Sequence, residues 1–99
     1  MVEIKWTTRA ISDITEIAEY ISKDSFHYAS GVVDRIFSQE EYLKNDTYFG
    51  RIVPEFNNKN IREVITGNYR IVYRVFTSTK IQILTVQHGA RKITKRSLK

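Results

Sequence analysis

The stretch Ile61 to Phe76, IREVITGNYRIVYRVF, decides the fold. Two β-prone runs flank a Thr-Gly-Asn turn, which reads as a hairpin. If Gly67 and Asn68 are the two turn residues, Thr66 faces Tyr69, Ile65 faces Arg70, Val64 faces Ile71 and Arg62 faces Tyr73. Alternation then sorts the side chains. One face takes Val64, Tyr69, Ile71, Tyr73 and Val75, the natural seat for a covering layer; the other takes Glu63, Arg70, Val72 and Arg74.

Downstream, a turn at Thr77-Ser78-Thr79 leads into a further strand over Lys80 to Gln87 (KIQILTVQ) and then a basic tail, His88 to Lys99. Upstream lies a loop containing Gly50 and Pro54. Before it, Ala29, Val32, Val33, Ile36, Phe37 and Leu43 recur at helical spacing after an Asp24-Ser25 break, with Gly31 expected to mark close packing against an earlier helix. That earlier helix is capped by Thr7 or Thr8 and carries the stripe Ile11, Ile14, Ile17, Ala18 and Ile21. Val2 to Trp6 alternates as a first strand.

The order β-α-α-β-β-β predicts an α+β fold in which two antiparallel helices pack on one face of a four-stranded antiparallel sheet. The other face is expected to stay open, with its guanidinium groups turned to an anion or paired with Glu63. The 99 residues are read as a single domain, 1–99, with no internal repeat or linker. A chain of this size buries roughly 60 to 70% of its unfolded surface, enough for one core and too little for a large multi-step enzyme.

Composition narrows the chemistry. The formal charge is +5, but Met1 to Tyr48 holds five bases and nine acids, whereas Phe49 to Lys99 holds eleven bases and two acids, Glu55 and Glu63. So basic a half points to an acidic or polyanionic partner. There is no Cys, and His27 and His88 are the only histidines, which leaves no metal-ligand set, and no cofactor is expected. No phosphate loop and no G-x-S-x-G setting occur. The expected location is the cytoplasm, because a chain without Cys suits a reducing compartment, and no apolar run approaches the roughly 18 residues of a membrane span.

Four segments in order, WTTRAISDITEIAEYI (6–21), GRIVPEF (50–56), IREVITGNYRIVYRV (61–75) and ILTVQHGAR (83–91), resemble the RelE/ParE superfamily of toxins from type II toxin–antitoxin, or plasmid-stabilization, modules. The pattern is more similar to the ParE branch, whose members poison DNA gyrase, than to the RelE and YoeB branch, whose members cut mRNA on the ribosome. The resemblance implies a compact microbial-RNase-like domain and a cognate antitoxin partner.

On the ParE reading the target-binding surface falls on Arg62, Arg70, Arg74, Arg91, Lys92, Lys95 and Arg96, with Ile93 and Leu98 as apolar anchors of the tail. Antitoxin contacts are expected at Tyr20, Tyr42, Ile93 and Leu98. On the RelE/YoeB alternative the resemblance makes Glu55 the general base, Arg70 the phosphate clamp and His88 the general acid of a ribosome-dependent mRNA endonuclease. Against that alternative, Gly89 follows His88 and the last twelve residues contain no aromatic side chain to stack a base.

Overall fold

In the computed structural model, which describes residues 1–89 and 93–94, the hairpin forms in the expected register, with Thr66 opposite Tyr69, Ile65 opposite Arg70, Val64 opposite Ile71 and Arg62 opposite Tyr73. Gly67 takes a φ of 57°, the left-handed conformation that such a turn demands and that glycine adopts without a Cβ penalty. The elements run β1 (Glu3–Trp6), α1 (Thr8–Ser22), α2 (Phe26–Ser38), α3 (Glu40–Asn45), β2 (Arg51–Ile52), β3 (Ile61–Thr66), β4 (Tyr69–Thr77) and β5 (Lys80–His88).

The sheet has five strands in the order β1-β5-β4-β3-β2 and is mixed rather than wholly antiparallel. β1 runs parallel to β5, with Ile4 beside Ile81 and Trp6 beside Ile83. The reason is connectivity: β1 is followed by helices, so it has no hairpin partner, and it takes the edge that β5 leaves free. The fifth strand, β2, is the two-residue end of the Gly50 loop paired to β3.

The two long helices, α1 and α2, each begin where a hydroxyl satisfies an orphan N–H. Thr7 accepts from the Ala10 amide, and Ser25 accepts from the Tyr28 amide. The apolar stripe predicted to run from Ala29 to Leu43 in one helix is divided at Gln39 into α2 and α3, yet Ile36 and Leu43 both reach the same core. Trp6 is held beside this joint, its ring 4.8 Å from Phe37 and its indole N–H donating to Glu40 at 2.6 Å.

The principal core joins Ala10, Ile14, Val32, Ile36 and Leu43 to Val64, Ile71, Tyr73, Val75, Ile81, Ile83 and Val86. Ile83 and Val86 are three residues apart on one strand, a spacing that regular alternation forbids. A bulge in β5, at the register shift opposite Val72 and Tyr73, permits it.

The second face departs from the expectation of an open surface. Val53, Ile61, Val72 and Ile93 form a buried cluster there, with Phe56 and Leu84 against it. The loop after β2 folds back over the sheet, Val53 donating to the Ile61 carbonyl, and its tip turns at Asn57 with a φ of 48°. Ile93 comes from the C-terminal end and completes the cover.

Candidate functional site

On this second face, near the hairpin end of β4, lies Arg70, 6% exposed. Its Nε donates to Glu63 Oε1 at 2.5 Å, and Nη1 and Nη2 donate end-on to the two oxygens of Glu55 at 2.8 and 2.9 Å. Glu63, 1% exposed, is also bound by the Arg51 Nε at 2.7 Å, and Glu55 also accepts the Ile93 amide at 3.0 Å. Two carboxylates and two guanidiniums thus make a network in which every charge has an opposite neighbour.

The protonation chemistry follows from that pairing. The Arg70 guanidinium, aided by the Ile93 amide, holds the Glu55 carboxyl down to about 2 against burial, which pushes the other way. Glu55 in turn raises Arg70 above its ordinary value, with a further contribution from Glu63. A carboxylate so acidic and so engaged is a poor proton acceptor near neutrality. A guanidinium gripped by two carboxylates is likewise not an open phosphate clamp.

His88 lies elsewhere. On β5 it stands opposite Tyr69, while Gln87 stands opposite Arg70, and consecutive residues of a strand point to opposite faces. The His88 ring meets the Tyr69 ring edge-on at 5.8 Å, on the helix side of the sheet. There it lines a groove of about 670 Å3 between α1 and β5, with Arg9, Asp13, Tyr20 and Tyr69. The three residues expected as base, clamp and acid are therefore not brought together: Glu55 and Arg70 meet, and His88 is on the far side of the sheet.

Of the residues expected to bind a target, Arg70 is withdrawn into the network just described. Arg62 is drawn toward the body, its Nε on the Lys59 carbonyl at 2.8 Å, its Nη1 on the Gly50 carbonyl at 2.9 Å, and its guanidinium 4.9 Å from the Tyr48 ring centre. Arg74 stays exposed, over Phe76 at 5.2 Å. Arg91, Lys92, Lys95 and Arg96 lie outside the described residues.

Among the residues expected at an antitoxin interface, Tyr20 and Tyr42 are 73% and 53% exposed. Ile93, 1% exposed, is a correction: it belongs to the chain's own second core and has no surface to offer a partner. Leu98 lies outside the described residues.

Sequence reasoning missed Arg51 as the outer partner of Glu63, and Asp13 as the α1 residue that accepts from the Thr85 hydroxyl and from the Val86 amide at 3.1 Å. The signal for Asp13 was faint, an acid just off the apolar stripe. It also missed the Tyr42–Phe49 stack, whose rings lie 5.1 Å apart beside β2.

A helical layer on a mixed sheet with this strand order places the protein in a recognisable structural class. A solved structure titled as a chromosomal ParDE toxin–antitoxin system from P. aeruginosa superimposes with a TM-score of 0.70, covering 89% of this chain and 96% of that one at 24% identity. The fold is thus that of the toxin-module proteins. A Sinorhizobium fredii (strain NBRC 101917 / NGR234) protein named as a toxin, Y4kP, is 37% identical over 88 residues, 87% of this chain and 86% of its own. The family described as ParE toxin of type II toxin-antitoxin system, parDE, matches residues 4–93. The chain belongs to the ParE toxin family.

Proposed function

We propose that this ParE-family toxin acts by binding rather than by cutting, inhibiting DNA gyrase, and that a cognate antitoxin neutralises it. One observation carries the reading: Arg70 is gripped by Glu55 and Glu63, with His88 on the opposite face of the sheet, so the constellation that RNA cleavage needs is not assembled. A binding toxin needs no such constellation. It needs a cationic surface: Arg74 is exposed, and the sequence from residue 91 onward adds five further bases.

The antitoxin fits the same charge logic. The half from Phe49 onward carries eleven bases and two acids, which favours an extended partner rich in acids and punctuated by apolar residues. Tyr20 on α1 and Tyr42 on α3 are among the exposed aromatic side chains, and such a partner would cover them.

Two assays on purified toxin test the proposal. Gyrase supercoiling is expected to fall, with cleaved DNA persisting, while mRNA in the ribosomal A site stays intact; the variant His88→Ala is expected to inhibit as the wild type does. A-site cleavage that disappears with His88→Ala would reinstate the endonuclease alternative, and supercoiling untouched by an active toxin would remove gyrase as the target.

A further inference from the structure

The cover over the second face stops short of one end. Around Arg70, beside the β3–β4 turn, Glu55, Glu63 and the apolar cluster close the surface. Toward the β4–β5 turn the register sets a different row side by side: Lys5 on β1 next to Gln82 on β5, and Gln82 next to Arg74 on β4. Lys5 and Arg74 are exposed, and neither pairs with a carboxylate among the described residues. In the next row Lys80 touches Glu3 loosely, at 4.0 Å between two exposed side chains.

Phe76 stands among these cations. It falls at a register shift between Val75 and Thr77, where the pairing with β5 passes it over, and such irregularities re-aim a side chain. Phe76 is 48% exposed, with the Arg74 guanidinium 5.2 Å and the Lys80 ammonium 5.9 Å from its ring centre.

We propose that this end of the sheet binds a single-stranded nucleic acid, one base stacking on Phe76 while neighbouring phosphates are held by Lys5, Arg74 and Lys80. A π face beside three cations meets both demands of such a strand: any base stacks on it whatever its identity, and the backbone charge is neutralised alongside. The strand is single because a base inside a duplex has no free face to offer. β1 and β4 lie two strand spacings apart, about 10 Å, so the cations line a path across three strands rather than a point. A carboxylate-rich peptide would satisfy the cations and leave the ring unused, which favours the nucleic acid.

Glu55 is engaged with Arg70, and His88 lies on the other face, so a strand held here has neither the expected base nor the expected acid beside it. The site goes beyond gyrase inhibition and does not depend on it.

The test is fluorescence anisotropy of the purified full-length toxin with labelled oligothymidylate and oligouridylate of about twelve nucleotides, and with a duplex of the same length. Phe76→Ala is expected to weaken single-strand binding about tenfold, as loss of a stacking platform does, and to leave the duplex within twofold. Phe76→Tyr is expected to restore the affinity. Lys5→Ala, Arg74→Ala and Lys80→Ala are each expected to lower the slope of log affinity on log salt by about 0.7. A preference for oligothymidylate assigns DNA as the strand and a preference for oligouridylate assigns RNA; either supports the site.

The proposal is overturned if the wild type binds neither strand, or if Phe76→Ala binds them as the wild type does. It is overturned equally if Phe76→Ala instead lowers antitoxin affinity tenfold, which would make the patch a protein interface. Should Phe76→Ala fail to melt cooperatively, Arg74→Glu, at an exposed position, decides by the same loss of single-strand binding. No gyrase enters these mixtures. A toxin that binds strands without affecting supercoiling removes the proposed target alone, and one that inhibits gyrase without binding strands removes this site alone.

Discussion

At Arg70 the guanidinium lies between carboxylates drawn from different parts of the chain, Glu63 on the neighbouring strand and Glu55 from the preceding loop. Removing the cation leaves both acids on the second face without it, Glu63 fully enclosed, and stranded buried charge is among the costliest defects in a fold. Arg70→Ala is therefore expected to lower stability by about 3–5 kcal/mol in urea unfolding. Its loss of toxicity would accompany a loss of soluble, folded protein rather than mark a contact with the target.

Glu55 gives the same network a pH signature. Its carboxyl titrates at about 2 in the folded protein against an ordinary 4.5, so the unfolded chain binds the proton first as acid is added. The stabilisation is fully present above pH 4.5 and drains away as the pH falls towards 2, amounting to on the order of 3 kcal/mol for the pair with Arg70 counted once. Urea midpoints for the wild type are expected to fall across that window, and Glu55→Gln is expected to flatten that part of the profile. An equally steep profile in the variant would place the acid sensitivity elsewhere.

At the scale of elements, the joint between α3 and the sheet depends on how closely two backbones approach. The Tyr73 hydroxyl donates to the Thr47 carbonyl and accepts from the Gly50 amide, each at 2.9 Å. A Cβ on Gly50 would fall 2.5 Å from the Glu63 carbonyl oxygen and 2.8 Å from the Tyr73 ring. Tyr73→Phe strands two buried backbone groups and is expected to cost about 1–3 kcal/mol by thermal or urea melting, with Gly50→Ala at least as harmful.

Gly31 behaves oppositely. The close helix contact expected there is absent: a Cβ would meet only the Arg35 guanidinium, at 3.5 Å. Gly31→Ala is expected to raise stability by about 0.5–1 kcal/mol through helix propensity. A destabilised variant would show that the helices close up at this point.

These elements also show what the sequence could disclose. The hairpin register was legible because a two-residue turn with glycine fixes every pairing that follows. The direction of β1 was not, since alternation in VEIKW is the same whichever way a neighbour runs. The break at Gln39 left no trace because Ile36 and Leu43, seven residues apart, keep the spacing of an unbroken helix. The cover over Arg70 was hidden for a similar reason: residues 53–60 have no periodicity, and the partnership of Glu55 with Arg70 spans 15 positions. Local pattern reveals which face a residue takes, and long-range closure decides whether that face is free.

For the molecule as a whole, charge is segregated along the chain. The half up to Tyr48 supplies nine acids and five bases and builds the helical layer, whose surface carries Tyr20 and Tyr42; the other half supplies eleven bases and most of the sheet. A partner that covers both surfaces faces two different physical demands. Attraction to the bases acts at a distance and is screened by salt, so it governs the rate of encounter. Burial of the tyrosines acts at contact and governs the rate of escape.

Surface plasmon resonance with the cognate antitoxin is thus expected to show an association rate that falls at least tenfold between 50 mM and 500 mM salt, on the scale of electrostatic steering, with a dissociation rate that changes little. Tyr20→Ala and Tyr42→Ala are each expected to do the reverse, accelerating dissociation by roughly ten- to thirtyfold, as loss of an aromatic anchor does, at an unchanged melting temperature. If the tyrosine variants dissociate as slowly as the wild type, the helical layer is not where the antitoxin holds on. If salt leaves association untouched, the basic half meets something other than acid.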